Sequence, residues 1–204
     1  MNLLEETMKK CLMGVILLLC TIIPLQAFAG VPLETVKVHV DKVLDVLRDP
    51  SLKSESGKKL KKEKIRAISE KMFDFTELSK RTLAQNWSKF TPEQQKEFIS
   101  LYKSLLEDTY ADKILMYTDE KILFTKEVSL SEKTAEVQST VIRKTDEVPM
   151  NYRVILKDGV WMVYDVVIEG VSLINNYRSQ FREILANKPP ESLLETLRKK
   201  VQKA

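Results

Sequence analysis

The segment 148–168, VPMNYRVILKDGVWMVYDVVI, contains two apolar runs joined by Asp158-Gly159. Such a pair between two strand-like runs is a strong signal for a tight β-hairpin. The first run, Val148–Lys157, alternates apolar and polar side chains, as a strand with one buried face does. The second run, Val160–Glu169, is apolar on both faces apart from Asp165, which predicts a central strand covered on both sides. The segment therefore predicts an antiparallel hairpin at the centre of the fold.

Two further strands are predicted just before this hairpin. They run over Ile122–Leu130 and Thr134–Lys144, and the polar residues 131–133 between them provide a turn. Together with the hairpin they make a four-stranded, mainly antiparallel sheet.

Apolar residues recur at helical spacing on both sides of these strands. Helices are predicted over Leu33–Leu47, after Gly57 as far as Met72, over Phe73–Leu83, from Thr91 towards Tyr117, over Val171–Leu185, and after Pro190. The order of helices, strands and helices predicts an α+β fold. Residues 30–204 have a length that suits one domain.

The helix that starts at Thr91 has the clearest boundary. Thr91 is a suitable N-cap, Pro92 lies where its missing N–H costs nothing, and Gln94 occupies the third position of a capping box. The apolar residues of this helix cover more than the single stripe that a surface helix needs. Apolar material is therefore expected on two of its sides.

The N-terminal residues read as an export signal. Lys9 and Lys10 precede an apolar run of about a dozen residues, and Ala27-Phe28-Ala29 is a cleavage pattern, so residues 1–29 are predicted to be removed. The run is too short for a membrane-spanning helix, which needs roughly 20 residues. A lipid-anchored alternative at Cys20 is disfavoured by the bulky Leu19 before it. Both cysteines, Cys11 and Cys20, lie in this segment, so no thiol remains after cleavage.

The charge of the chain is mildly positive. The formal net charge is +4, without the clustered basic stripe of a nucleic-acid binder, so no nucleic-acid partner is expected. The basic run Lys58–Arg66 has two readings. It is either a solvated helix face, which is the usual role of such a run, or a site for lipid headgroups.

Residues for catalysis or metal binding are scarce. His39 is the single histidine, expected to be exposed, and neither metal-ligand motifs nor a glycine-rich phosphate loop occur. No catalytic residue, metal or cofactor is therefore assigned. Asp165 is the exception that leaves an alternative open, since a buried carboxylate can be a catalytic base in a cone-shaped α+β fold like that of ketosteroid isomerase. The other reading is that Asp165 pairs with Arg153 or Arg143 on a neighbouring strand.

Three segments together resemble the MlaC family, also known as the toluene-tolerance family. The third is the most specific, and in order and spacing the three cover the chain from about Val31 to Val201. At Phe90 such sequences more usually carry Leu. The segments are 87–98, WSKFTPEQQKEF, followed by 109–111, TYA; 161–166, WMVYDV; and 169–181, EGVSLINNYRSQF.

The resemblance implies a periplasmic phospholipid carrier. In that family, which resembles the NTF2-like folds, helices and the sheet enclose a deep apolar pocket for acyl chains. The resemblance further implies that the protein shuttles lipid between an inner-membrane MCE-domain ABC transporter complex and an outer-membrane lipoprotein complex, which maintains outer-membrane lipid asymmetry. A carrier of this kind is no enzyme, and its only bound ligand is phospholipid. Two other classes stay open: a small exported hydrolase or isomerase that uses Asp165, and a periplasmic adaptor or chaperone that uses surface helices and has no internal cavity.

Patterning suggests which residues touch the lipid. Pocket-lining residues are expected among apolar side chains on elements that face one another, although each of them is also a candidate for simple core. They are Phe98, Leu101, Leu105, Tyr110, Tyr152, Val154, Val163, Val171 and Ile174. Polar groups of the third segment are candidates for contact with a headgroup phosphate or a docking partner, or for a helix surface: Tyr177, Arg178 and Gln180.

Overall fold

The computed structural model describes residues 31–52, 54–117 and 120–202. The predicted export signal, with its two cysteines, lies outside the described residues. Within them the α-helices are α1 Pro32–Arg48, α2 Glu55–Met72, α3 Phe75–Leu83, α4 Pro92–Leu115, α5 Leu173–Leu185 and α6 Pro190–Val201. Short 3₁₀ helices cover Pro50–Leu52 and Ala84–Lys89. The strands are β1 Lys121–Ser131, β2 Thr134–Ile142, β3 Glu147–Lys157, β4 Val160–Ile168 and β5 Val171–Ser172.

The strands form one antiparallel sheet in the order of the sequence, β1-β2-β3-β4-β5. The turn between β3 and β4 is the predicted one: Asp158 has φ 51° and Gly159 has φ 80°, and Lys157 pairs with Val160. Positive φ at both central residues is what a tight hairpin turn requires. The four predicted strands are all present. The two-residue β5 is an addition, too short to produce a periodic pattern.

Strand β4 is covered on both faces, as its composition predicts. Val163 belongs to a cluster with α1, whereas its neighbour Tyr164 belongs to a cluster with the other helices. Beyond the two residues that pair with β5, the outer edge of β4 is met by the segment before α3, where the Asp74 N–H donates to the Val163 carbonyl at 2.9 Å. The part of the β4 edge that β5 leaves unpaired is thus covered by the segment that connects α2 and α3.

The apolar core has two parts. The sheet core lies between α1 and the sheet, and its buried members include Val36, Val40, Val137, Tyr152 and Val154. The helical core lies among α3, α4, α5 and α6. Its centre is a group of rings with centroids 5.2 to 5.7 Å apart: Phe98, Tyr102, Tyr177 and Phe181. This aromatic packing fills the helical core.

The start of α4 is the predicted capping box. The Thr91 hydroxyl accepts from the Gln94 N–H at 3.3 Å, and the Gln94 side chain accepts from the Thr91 N–H at 3.2 Å. Both bonds satisfy donors that a helix start leaves free.

Helix α2 begins earlier than the sequence indicates. Ser54 is its N-cap and accepts from the Gly57 N–H at 3.1 Å, so Gly57 lies inside the first turn and does not precede the helix. The reason is a close approach: a Cβ on Gly57 would lie 2.6 Å from the carbonyl carbon of Leu52. Only glycine lets the preceding 3₁₀ turn come this near.

Over the described part of the chain, every helix is either too short or too polar to cross a membrane.

Candidate functional site

A cavity of about 810 Å³ lies beside the two cores. Its walls are α1, α2, the last three turns of α4 and one face of the sheet. The apolar side chains that line it are Val40, Val43, Leu44, Leu47, Ile65, Ile68, Met72, Phe73, Phe75, Leu78, Leu106, Tyr110, Ala111, Ile114, Leu115, Met116, Tyr117, Ile122, Val141, Val148, Met150, Tyr152, Val166, Ile168 and Leu173. This volume is within the range of small-molecule pockets.

Each wall follows from a simple repeat in the sequence. Val40, Val43, Leu44 and Leu47 are spaced by three and four, so they share one face of α1. On the sheet, Met150 and Tyr152 are two apart and lie on one face of β3. Their partners across the ladder, Ile168 and Val166, also line the cavity.

Helix α4 runs from the helical core to the cavity. Phe98 and Tyr102 in its first half are fully buried among rings, whereas its lining residues begin at Leu106. This explains why α4 is apolar on more than one side. Its first half packs against the helical core, and its second half faces the cavity.

The mouth of the cavity consists of the exposed lining residues Arg66, Lys113, Met116 and Arg143. Met116 is 71 % exposed, which is high for an apolar side chain beside an apolar cavity. The cavity thus opens to solvent near the end of α4, with charged groups around the opening. Such a mouth suits a ligand with an apolar body and a polar end.

Glu107 is the most enclosed acidic group of the lining. Burial raises its pKa, although the nearby Lys103 and Arg66 act in the opposite direction. The Arg66 Nε atom lies 3.5 Å from its carboxylate, and Lys103 lies 3.9 Å away. Each of the two cations has a closer carboxylate partner, Asp108 for Arg66 and Glu70 for Lys103, so they offset the burial of Glu107 only in part.

Two lining tyrosines keep neutral hydroxyls at physiological pH. Burial raises the pKa of Tyr152 and, to a lesser extent, that of Tyr110. The Tyr152 hydroxyl contacts the Met150 sulfur at 3.2 Å. These two parts of the cavity wall are thus uncharged.

Of the nine residues expected to line a pocket, Tyr110 and Tyr152 line this cavity. Phe98 and Ile174 lie in the helical core, and Leu101 and Leu105 pack against it. Val154 and Val163 are buried in the sheet core, and Val171 is 61 % exposed. Seven of the nine are therefore outside the cavity lining, because an apolar repeat looks the same whether the face it meets is filled or hollow.

The three polar candidates of the third segment also lie away from the cavity. Tyr177 is buried in the helical core, and exposed Gln180 bonds to Asn176 on its own helix. The Arg178 guanidinium donates twice to the Arg81 carbonyl, at 2.7 and 3.2 Å, which ties α5 to the end of α3. Contact of Arg178 or Gln180 with a docking partner stays a prediction.

The sequence reading missed most of the contribution of α1 and α2. Both helices show the required signal, which is a clear apolar stripe such as Ile65, Ile68 and Met72 on α2. The two helices are far from the strands along the sequence, and their apolar stripes do not indicate which face of the sheet they cover. The basic run Lys58–Arg66 is not only a solvated helix face, because two of its members, Lys62 and Arg66, line the cavity.

Asp165 is buried in a fully bonded site outside the cavity lining. One carboxylate oxygen accepts from Ser172 at 2.7 Å and from Arg153 at 3.2 Å, and the other accepts from the Ile174 N–H at 3.0 Å. The predicted pairing with Arg153 is confirmed. The bonds of this carboxylate join β3, β4 and the start of α5. The residue is 1 % exposed, so its carboxylate does not face solvent in this structure.

Among residues 31–52, 54–117 and 120–202, no three His, Cys, Asp or Glu side chains are grouped to hold a metal ion. The sequence predicts an exposed His39, whereas in the structure this side chain is half-buried. Burial lowers its pKa, and the nearby Lys42 and Lys71 lower it further.

These features define a class: α+β proteins whose helices and antiparallel sheet enclose a large apolar cavity with a charged mouth. The model of the MlaC protein family matches residues 37–199, and the chain belongs to this family. The predicted membership and fold class are thereby confirmed.

A solved structure with the same fold is that of a phospholipid-binding protein from Ralstonia solanacearum in complex with a phospholipid. The two sequences are 26 % identical, the TM-score is 0.75, and the match covers 85 % of this chain and 98 % of the other.

Proposed function

We propose that this protein binds phospholipid by its acyl chains within the cavity and carries it through water. The observation that carries the proposal is the apolar cavity of about 810 Å³, open at a charged mouth. The similar protein from Ralstonia solanacearum, in complex with a phospholipid, supports the same ligand class. The adaptor alternative requires a filled interior, which this cavity does not fit.

The size of the cavity suits acyl chains. If a methylene takes about the 30 Å³ of a water molecule in the liquid, the cavity holds on the order of 27 such groups. That is more than one long chain needs and close to two. The transfer free energy is about 0.8 kcal/mol per methylene, so some 30 methylenes represent on the order of 20 kcal/mol. A free lipid will not leave a bilayer at a useful rate unless a carrier offers a comparable environment.

In this proposal the acyl chains are held by the apolar residues that line the cavity. Tyr110 and Tyr152 are retained from the sequence prediction, and Leu44, Ile65 and Ile68 are added from the facing helices. Retention by these side chains needs neither a catalytic residue nor a bound nucleotide.

We further propose that the carrier is exported and works in the periplasm. Lipid would pass between an inner-membrane MCE-domain ABC transporter complex and an outer-membrane lipoprotein complex. Family membership and the predicted export signal in residues 1–29 support this part. Release needs a partner whose own groove competes for the chains, and any ATP use belongs to that partner.

The first experiment is mass spectrometry of lipid extracted from gently purified protein. Phospholipid in near-stoichiometric amount is expected. Material that carries no lipid, and takes up none from vesicles, would contradict the proposal.

A cavity-filling variant tests the location. Ala111 lines the cavity on α4, so Ala111→Phe places a ring inside it and should lower bound lipid several-fold. Ser100→Phe adds the same ring at an exposed position of the same helix and is the matched control. Equal lipid content in both variants would exclude this cavity as the binding site.

The transfer step is tested with loaded protein and two vesicle preparations, one from inner and one from outer membranes of the source cells. Labelled lipid should enter at least one preparation faster than it enters protease-treated vesicles. Equal rates with and without protease treatment would show that no protein partner takes part.

A further inference from the structure

Four cations line the cavity, and carboxylates neutralise three of them. Lys62 Nζ lies 2.8 Å from Asp112, Arg66 Nη2 lies 2.9 Å from Asp108, and Arg143 Nη1 lies 3.5 Å from Asp146. The fourth is Lys113, and no described residue offers its ammonium group a carboxylate partner. Lys113 therefore differs from the other cations of the lining.

The position of Lys113 is set by an aromatic ring. Its Nζ atom lies 5.4 Å from the centroid of the Tyr110 ring, within the range of a cation–π contact. Tyr110 itself lines the cavity and is half-buried. The ammonium group is thereby held at the mouth, at the boundary between the apolar interior and water.

A phospholipid whose chains fill the interior leaves its phosphate at this boundary. Both hydrocarbon and phosphate are then in favourable surroundings, because the chains leave water while the anion stays in it. Because Lys113 has no carboxylate partner within the described part of the chain, it can bind the phosphate without breaking an ion pair there. Lysine is a common phosphate ligand in proteins.

We propose that the Lys113 ammonium binds the phosphate of the lipid headgroup and so makes the cavity prefer phospholipid to an uncharged lipid with the same chains. This inference rests on the proposed function, since it requires lipid in the cavity. The chains supply the affinity, whereas Lys113 selects the headgroup class.

The experiment offers lipid-stripped protein equal amounts of phosphatidylglycerol and diacylglycerol with identical acyl chains in mixed vesicles. Mass spectrometry gives the ratio of the two lipids bound. The wild type should favour phosphatidylglycerol, and Lys113→Gln should reduce the ratio about threefold, the order expected for an exposed ion pair. Lys113→Arg should keep the wild-type ratio. Lys96→Gln removes an equal charge from an exposed position of α4 outside the lining, and it should also keep that ratio.

The outcomes separate the two proposals. If the wild type takes up neither lipid, the proposed function fails. If all variants take up lipid with the wild-type ratio, only the role of Lys113 is overturned.

A second measurement distinguishes lipid phosphate from free phosphate. Inorganic phosphate is compared with chloride at equal ionic strength, and the melting temperature of the stripped protein is recorded. The same melting temperature in both salts supports the lipid headgroup as the ligand. A rise in phosphate that is lost in Lys113→Gln would assign the site to free phosphate and overturn the lipid assignment.

Discussion

Asp165 shows how a single residue can suggest catalysis in the sequence and a structural role in the fold. Its carboxylate joins Arg153 of β3 to Ser172, and the Ser172 hydroxyl in turn caps α5 by accepting from the Asn175 N–H at 3.1 Å. A buried carboxylate is tolerated because each of its bonds is made by a cation or a well-placed donor.

Asp165→Asn should therefore destabilise the protein without abolishing lipid binding. The substitution removes the negative charge that faces Arg153. It also disturbs the carboxylate oxygens that accept from the Ser172 hydroxyl and the Ile174 N–H. Together these losses cost about 2–4 kcal/mol in the free energy of unfolding. Urea denaturation measures this loss, and lipid content at low temperature measures function. Unchanged stability would contradict the structural role, and an enzymatic activity lost in this variant would favour the hydrolase or isomerase alternative.

His39 gives a pH dependence with a definite sign. Its pKa in the folded protein lies below the ordinary 6.5, since burial and the nearby Lys42 and Lys71 disfavour the charged form. Below pH 6.5 the unfolded chain therefore binds more protons at this site, and the folded state loses stability as the pH falls towards the folded pKa.

The fall in unfolding free energy between pH 7 and pH 5 should be smaller in His39→Gln than in the wild type. Because the chain has one histidine, its imidazole signal in an untagged protein reports the folded pKa directly by NMR. A titration midpoint at or above 6.5 would contradict the expected direction.

Among the elements, the packing of α2 against the turn before it depends on Gly57. In an ordinary helix, replacing glycine by alanine stabilises by about 0.5–1 kcal/mol. Here the added Cβ would meet the Leu52 backbone at 2.6 Å. The usual sign of the substitution should therefore be reversed.

Gly57→Ala should lower the free energy of unfolding by about 1–3 kcal/mol, the usual cost of overpacking. Lys59→Ala, exposed in the same helix, is the control and should be close to neutral. The two midpoints in urea decide the matter, and an alanine variant as stable as the wild type would show that the turn moves away freely.

Most of the elements were predictable from local patterns. The four long strands and the ends of α1, α3 and α4 lie within two residues of their predicted bounds, because alternation, Asp158-Gly159 and the Thr91 cap are local signals. The start of α2 was not predicted, since it depends on how the chain passes Leu52. Tertiary contacts of this kind leave no periodic trace in the sequence.

The site was less predictable than the elements. The apolar character of Tyr110 and Tyr152 was visible, but so was that of Phe98 and Val163, which pack in solid cores. Whether an apolar face packs against another element or lines the cavity depends on how α1 and α2 cross the sheet. That arrangement is a property of the whole molecule and not of any one segment.

The whole molecule combines a densely packed aromatic half with a half that contains the apolar cavity of about 810 Å³. Without lipid, the apolar walls of this cavity hold little water, so unfolding removes poorly filled volume, and hydrostatic pressure then favours the unfolded chain. A molecule with its acyl chains in place has little void left to lose.

Lipid-stripped protein should consequently unfold at a lower pressure than loaded protein, even at a temperature where both are fully folded at one atmosphere. The fluorescence of Trp87 and Trp161 in a high-pressure cell reports the two midpoints, and equal midpoints would contradict the expectation. The bound lipid would thus fill space that pressure otherwise removes, and the stability of the protein against pressure would rise with each loading and fall with each release.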